Sequence, residues 1–230
     1  MPFSMSSERL FTMFVSVIAM LTALPFHEYA HAWAANKLGD PTAKYQGRLT
    51  LNPFRHLDLF GSICMVLFGF GWAKPVPINP YNFKNPKTGM ALSALAGPMS
   101  NVVYAFVAMI LYKILWYPAM MVDQSTFWGF FLYYIVQILW IIVSLNVGLA
   151  VFNLLPVPPL DGSRILNIIL PERIYFKVMQ YERIIMFAIM ALLFVGVLDK
   201  PLIYLRGLLV NGLDFLTGFV DIIARAILGV

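Results

Sequence analysis

The sequence predicts an all-α, polytopic membrane protein with about four to six transmembrane helices, because apolar residues dominate and occur in long runs. Hydrophobic residues make up 60% of the 230 positions and charged residues 12%, whereas soluble domains carry roughly a quarter charged residues. A helix needs about 20 apolar residues to cross the hydrocarbon core. We therefore expect one integral-membrane domain over residues 1–230, surrounded by lipid bilayer. The net charge of +5 is spread thinly and without a recognition motif, so no nucleic-acid partner is expected.

The strongest candidate spans cover residues 10–35, 90–116 and 127–155. A shorter apolar stretch covers residues 184–198, and residues 201–230 fit either a final span or an amphipathic helix lying in the interface. Proline removes a helical hydrogen bond. We therefore expect broken helices at Pro98 in the second span and at the proline cluster that begins with Pro156. The core is expected over residues 10–170 and C-terminal helices over residues 184–230.

The region between the first two spans is predicted to hold a small β or re-entrant element. Residues 45–51 alternate enough for a short strand, and residues 57–72 are apolar but too short to cross the bilayer comfortably. The prolines of residues 74–80 exclude helix and favour an extended segment. This segment fits either a clamp that pairs with an unwound substrate strand or a plain loop that covers a site.

Basic residues predict the orientation of the chain in the cell membrane. Only Asp123 is charged in the loop at residues 118–126, whereas residues 36–89 carry a marked excess of basic residues over Asp40 and Asp58: Lys37, Lys44, Arg48, Arg55, Lys74, Lys84 and Lys87. Cytoplasmic loops of membrane proteins are enriched in lysine and arginine. The first loop region is therefore expected in the cytoplasm, together with the adjoining ends of the spans.

The most informative motif is His27-Glu28-x-x-His31 near the end of the first span. Two histidines four residues apart lie on one face of a helix and can bind one metal ion. Glu28 lies beside them, where it can act as general base on metal-bound water. The alternative is a pair of buried histidines with an ion-paired glutamate. An unpaired intramembrane carboxylate is costly, which favours a site for zinc-dependent amide hydrolysis.

Asp161 is the best candidate for the third zinc ligand, because a catalytic zinc usually has three protein ligands and one open position. It is a carboxylate at a helix break, flanked by Pro159 and Gly162, at the same membrane depth as the histidines. The alternative is that Asp161 caps a helix beginning near Ser163. His56 could contact the same site, although a loop histidine bonded to Asp58 is the simpler interpretation.

Three motifs in order resemble the site-2 protease family of intramembrane zinc metalloproteases. They are the histidine motif, the stretch at residues 96–101 and the stretch at residues 153–162. The similarity extends to residues 71–79 and covers roughly residues 10–170. The chain is most similar to the compact prokaryotic branch, which lacks an inserted PDZ domain and a nucleotide-sensing domain.

The resemblance implies that His27, His31 and Asp161 bind one Zn²⁺ per chain and that Glu28 is the general base. It further implies that Asn101 and Asn153 contact substrate or the oxyanion. An amide donor in a low-dielectric site can stabilise developing negative charge, but interhelical hydrogen bonding is an equally reasonable role for both asparagines.

The expected function is that of an intramembrane endopeptidase that cuts transmembrane protein substrates near the cytoplasmic leaflet. The alternatives are a membrane metal-ion transporter and a non-catalytic membrane scaffold. Transport requires polar sites across the bilayer, whereas the polar residues here gather near one face. Glu28 beside both histidines argues against a scaffold. The sequence leaves the substrate, its regulation and the oligomeric state open.

Overall fold

The computed structural model of the protein describes residues 7–58, 60–61 and 73–228. Within these residues the secondary structure is helical and contains no strand, which confirms the all-α class. The α-helices, in chain order, are α1 (Ser7–Leu38), α2 (Thr42–Tyr45), α3 (Pro86–Met121), α4 (Phe127–Asn153), α5 (Asp161–Leu166), α6 (Glu172–Met179), α7 (Glu182–Phe194), α8 (Asp199–Leu216) and α9 (Gly218–Leu228).

Three helices in the described part of the chain are long and apolar enough to cross a membrane by themselves. These are α1, α3 and α4, with 32, 36 and 27 residues. Helices α7 and α8 pass the same test only as a pair, which is bent by 87°. The described chain therefore has three candidate spans, or four if the bent pair is one span. The upper part of the predicted range of four to six is not supported.

Helix α3 begins where its sequence predicts a cap and continues where its sequence predicts a break. The Asn85 side chain accepts a hydrogen bond from the Thr88 N–H at 3.1 Å, and Pro86 occupies the first helical position, where its missing N–H costs nothing. The expected break at Pro98 is wrong, because the helix runs through Pro98 and Pro118 to Met121. A proline removes one helical bond, which a long helix packed against neighbours tolerates.

The core forms where α3 packs between α1 and α4. Buried Ala105 and Ala108 of α3 meet Val143 and Val147 of α4, and Leu213 of α8 joins the same cluster. Small side chains let membrane helices approach closely, since packing rather than water exclusion drives their association.

The C-terminal helices are fixed to this core by charged side chains. The Lys113 ammonium of α3 lies 2.8 Å from a carboxylate oxygen of Asp214 and 2.5 Å from one of Asp221. The Arg206 guanidinium of α8 donates to the Ser144 carbonyl of α4 at 3.0 Å. Residues 201–230, left open by the sequence, therefore include two helices that contact the spans through ion pairs and hydrogen bonds.

The predicted strand at residues 45–51 does not form. Helix α2 ends at Tyr45, and Gly47 adopts a positive φ of 66° in the turn that follows. The Arg48 N–H then bonds to the Ala43 carbonyl at 2.8 Å, so the backbone groups that a strand needs are used in a local turn. The predicted re-entrant element at residues 57–72 lies largely outside the described residues.

The segment at residues 74–80 contains no helix before the short 3₁₀ helix Pro80–Asn82, as its prolines predict. An isolated antiparallel bridge joins Leu57 to Ala73 just before it. This segment lies against the end of α1 and, as described below, contacts Glu28.

Candidate metal centre

The structure brings the side chains of His27, His31 and Asp161 to one point. Both histidines lie on one face of α1, and Asp161 is the first residue of α5. The two histidine Nε2 atoms are 3.0 Å apart, and the Asp161 Oδ2 lies 3.2 Å from the first and 3.3 Å from the second. Residues 130 positions apart along the chain thus present three candidate ligand atoms to each other.

The spacing of these atoms fits a tetrahedral metal ion. Ligands about 2.0–2.1 Å from a tetrahedral zinc lie about 3.3 Å from each other, close to the three separations found here. The Asp161 Oδ2 is buried and accepts no hydrogen bond, which is costly unless a cation occupies the space in front of it. The donor set of two imidazoles and a carboxylate is one that zinc uses in catalytic sites.

Gly97 of α3 forms the floor of this site. A Cβ atom at position 97 would lie 2.3 Å from the His31 Nε2 and 2.7 Å from the His27 Cε1. Real contacts are never so short, so the close approach of α3 to the two imidazoles requires glycine here. The following Pro98 is buried beside it.

The far side of each imidazole is held by a hydrogen bond that it donates to an acceptor on α3. The His27 Nδ1 lies 2.9 Å from the Asn101 Oδ1, and the His31 Nδ1 lies 2.7 Å from the Ser93 carbonyl oxygen. Both acceptors require the ring proton on Nδ1, which leaves the Nε2 lone pairs directed at the shared point.

The bond from Asn101 continues into α4. The Asn101 Nδ2 donates to the Asn146 Oδ1 at 3.3 Å, and the Asn146 Nδ2 donates to the Ile142 carbonyl at 2.9 Å. In both asparagine side chains the NH2 group donates on the side away from the metal ligands, and the oxygen accepts on the side that faces them. The direction fixes the amide orientation and hence the tautomer of His27.

Asp161 is not a helix cap. Leu160 occupies the cap position without a side-chain bond, and Asp161 lies in the first turn with its carboxylate toward the histidines. Gly162 lets α5 approach the end of α4, because a Cβ there would lie 2.3 Å from the Leu154 carbonyl oxygen.

Glu28 lies beside the ligands without joining them. Its side chain is buried, and its Oε2 accepts a hydrogen bond from the Val76 N–H at 3.1 Å. The described metal-ligating group contains His27, His31 and Asp161 only. One carboxylate oxygen of Glu28 is thus held by the backbone of the 74–80 segment.

Comparison with known proteins agrees with this geometry. The model of the family described as Peptidase family M50 matches residues 15–196. The chain belongs to peptidase family M50. This confirms the resemblance to the site-2 protease family that the three sequence motifs predict.

The relatives within family M50 carry names that mention zinc. "Putative zinc metalloprotease YwhC" of Bacillus subtilis strain 168 is 43% identical over 166 residues, which cover 72% of this chain and 74% of YwhC. "Putative zinc metalloprotease MJ0611" of Methanocaldococcus jannaschii is 30% identical over 169 residues, covering 72% of this chain and 75% of the relative. "Putative zinc metalloprotease Rip2" of Mycolicibacterium smegmatis is 31% identical over 155 residues, covering 65% and 55%. No solved structure matches the chain.

Two residues singled out in this M50 chain make their described hydrogen bonds to backbone carbonyls rather than to the three candidate ligands. Asn153 donates to the Leu149 carbonyl of its own helix at 3.0 Å. His56 is fully buried, and its described hydrogen bond joins its Nε2 to the Thr50 carbonyl oxygen at 2.7 Å, so the bond expected to Asp58 stays a prediction. The oxyanion role of Asn153 stays a prediction.

Asn101 makes the interhelical bond that the sequence leaves open as its alternative role. Its acceptor is used by His27 and its donor by Asn146. An oxyanion role requires a free donor, so it would need Asn101 to release Asn146 first.

Sequence reasoning missed three contributors to the site. Asn146 is fully buried in a strongly apolar span, the same kind of signal that singled out Glu28. Ser93 contributes a backbone carbonyl, which no side-chain pattern announces. Arg48 is buried near Glu28 although it is one of many basic residues in its loop region.

Proposed function

We propose that the protein is an intramembrane zinc endopeptidase that cuts peptide bonds within or next to transmembrane segments of other membrane proteins. His27, His31 and Asp161 bind one Zn²⁺, and Glu28 is the general base. The observation that carries this proposal is the meeting of three ligand atoms at 3.0, 3.2 and 3.3 Å, with Glu28 beside them. The names of the M50 relatives support zinc as the metal.

The chain's own residues divide the chemical work. Zinc, when bound, lowers the pKa of water and polarises a carbonyl group. Asn101 and the Ser93 carbonyl keep His27 and His31 in the tautomer that binds metal. Glu28 takes the proton from the attacking water and returns it to the leaving amine. Its Val76 bond keeps one oxygen fixed while the other exchanges the proton.

The distribution of charge supports a site near the cytoplasmic leaflet of the cell membrane. His27 and His31 lie toward the end of α1 that precedes the basic region at residues 36–89, and Asp161 follows α4 on the same side. The opposite loop between α3 and α4 carries Asp123 as its charged residue. By the positive-inside tendency the basic side faces the cytoplasm. A substrate segment would enter from the lipid and be cut near that face.

Metal content tests the proposal without knowledge of the substrate. Detergent-purified wild type is expected to hold about one zinc per chain by elemental mass spectrometry, and Asp161→Ala to lose most of it. Asp123→Ala, in the exposed loop before α4, is the matched control and should retain zinc. Normal zinc content in Asp161→Ala would remove Asp161 from the site. Wild type without zinc would contradict the proposal as a whole.

A further inference from the structure

Arg48 is buried although it lies in a loop, and among the described lysines and arginines it shares this burial with Lys113. Arg48 is 6% exposed. It lies in the turn after α2, which is closed by the hydrogen bond from the Arg48 N–H to the Ala43 carbonyl. The guanidinium NH2 donates to the Lys74 carbonyl, while the Nε has no hydrogen-bond partner. Burying an arginine with an unpaired donor is unfavourable. Its position therefore calls for a reason beyond closing a loop.

The first residue of the 74–80 segment is held on both of its backbone groups. Arg48 binds the Lys74 carbonyl, and the Lys74 N–H donates to the His56 carbonyl at 2.7 Å. His56 is itself fully buried and fixed by the Thr50 carbonyl. Burial lowers the pKa of His56, so its ring is neutral at pH 7 and adds no charge beside Arg48.

Two residues later the same backbone reaches the active glutamate. The Val76 side chain is buried against Ala32 of α1 and Ala43 of α2, and its N–H donates to the Glu28 Oε2 at 3.1 Å. Pro75 and Pro77 flank it; each has a fixed φ and lacks an N–H. A single residue with a fixed φ, Pro75, therefore connects the carbonyl that Arg48 holds to the N–H that donates to Glu28.

Arg48 and Glu28 also interact through their opposite charges. Burial lowers the pKa of Arg48, and the negative charge of Glu28 partly offsets this. The far end of the segment is fixed independently, because the fully buried Asp40 accepts from the Asn79 N–H at 2.7 Å. Arg48 thus anchors the end of the segment that lies nearer to Glu28.

We propose that Arg48 is a positioning residue for Glu28, acting through the backbone of residues 74–76 and through its own charge. The inference rests on the proposed function, because it assigns Arg48 a role in the work of the general base. Arg48 touches neither the metal ligands nor the substrate in this account. Its loss should therefore weaken what Glu28 does and leave zinc binding intact.

A hydroxamic acid is a suitable probe, because it binds zinc through two oxygens and passes its acidic proton to a carboxylate beside the metal. The affinity of zinc-loaded protein for octanohydroxamic acid is measured by calorimetry in detergent. Arg48→Gln is expected to weaken binding about tenfold, the loss of one charge-assisted interaction, with unchanged zinc content. Arg48→Lys, which keeps the charge and a donor, should recover part of the affinity. Arg55→Gln, at an exposed arginine of the neighbouring 3₁₀ helix, is the matched control and should bind as wild type.

A double-mutant cycle distinguishes positioning from a general structural effect. If Arg48 acts through Glu28, then Arg48→Gln causes no further loss of affinity for octanohydroxamic acid in a protein that already carries Glu28→Gln. Additive losses would overturn the inference, because they would show that Arg48 supports the probe site independently of Glu28. Equal affinity of Arg48→Gln and wild type would overturn it as well.

A second variant addresses the possibility that Arg48→Gln does not fold. Val76→Pro removes the N–H that donates to Glu28 and leaves Arg48 unchanged, and it also fixes φ and replaces the valine methyl groups that pack against Ala32 and Ala43. It should show the same loss of affinity and the same lack of additivity with Glu28→Gln; additive loss or wild-type affinity would again overturn the inference. If wild type holds no zinc, the proposed function fails and this inference with it. If zinc is present and the cycle is additive, only the role of Arg48 fails.

Discussion

The His27 Nδ1 donates to the Asn101 Oδ1 at 2.9 Å, across 74 residues of sequence and between two helices that are long and apolar enough to span a membrane. This bond fixes the tautomer of a candidate metal ligand from behind. It also ties the position of α1 to that of α3, and through Asn146 to α4. The metal site and the packing of the three long helices are therefore parts of one hydrogen-bonded structure.

Asn101→Leu should lower zinc affinity about 10- to 100-fold, the usual cost of losing a hydrogen bond behind a metal-binding histidine. Competition with a chelator of known affinity measures this on purified protein. Asn153→Leu is the matched control, because Asn153 bonds only within its own helix among the described contacts and should leave zinc affinity unchanged. Wild-type affinity in Asn101→Leu would show that the bond does not support His27.

Gly97→Ala should abolish zinc binding more completely than loss of one ligand's support, because the new methyl group would lie 2.3 Å from the His31 Nε2. The imidazoles or α3 must then move apart. Gly207→Ala on α8 provides the comparison, since a Cβ at position 207 meets nothing within 4 Å. Zinc content of the two variants decides the prediction, and a zinc-loaded Gly97→Ala protein would show that the floor of the site can yield.

Lys113→Met should loosen the C-terminal helices without affecting zinc. Lys113 is buried, whereas Asp214 is largely exposed. The loss of stabilising free energy should therefore lie between the values for buried and exposed ion pairs, at about 2 kcal/mol. Limited proteolysis should cut between α7 and α9 faster in this variant than in wild type. An exposed lysine changed in the same way, Lys84→Met, should leave the digestion pattern as it is. Faster digestion of both variants would show that the loss of a positive charge, rather than the loss of the contact between Lys113 and the C-terminal helices, causes the effect.

Asp40 predicts an acid-sensitive loop on the basic side of the protein. Burial raises the pKa of this carboxyl, but hydrogen bonds from Thr42, Asn82 and Asn79 outweigh it and set the folded pKa below the unfolded value. The stabilisation is therefore complete above the unfolded pKa, about 3.9, and is lost as pH falls through the lower, folded pKa. Amide hydrogen exchange at residues 76–82 should rise over that range in wild type. In Asp40→Asn the exchange should be higher at pH 7 and lose this acid dependence; a wild-type profile in the variant would contradict the assignment.

Most of the candidate site could be predicted from the sequence, because the residues that mark it are close together in the chain or are chemically unusual in an apolar span. His27, Glu28 and His31 lie within two turns of one helix, and an unpaired carboxylate in a span has few explanations. Asp161 could be predicted only by tracing the spans, which placed it at the same membrane depth.

The misses have physical reasons. The break expected at Pro98 did not occur, because one lost hydrogen bond does not end a helix that is packed on both sides. The strand expected at residues 45–51 does not form, because the N–H groups of Gly47 and Arg48 make local hydrogen bonds in a turn and are not available to a neighbouring strand. The contact between Arg48 and Lys74 depends on how two loops fold together, which no periodicity in either loop encodes.

The most direct test of the central claim is cleavage by the zinc-loaded protein with and without the general base. Wild type and Glu28→Gln are reconstituted in liposomes with a library of single-pass membrane proteins tagged at both ends, and cleaved bonds are mapped by mass spectrometry. Glu182→Gln, in the first turn of α7, is the matched control. We predict that wild type and the control cut bonds within or next to the transmembrane segments, and that Glu28→Gln retains about one zinc per chain but cuts about 1000-fold more slowly. A zinc-loaded Glu28→Gln protein that cuts as fast as wild type would contradict the account.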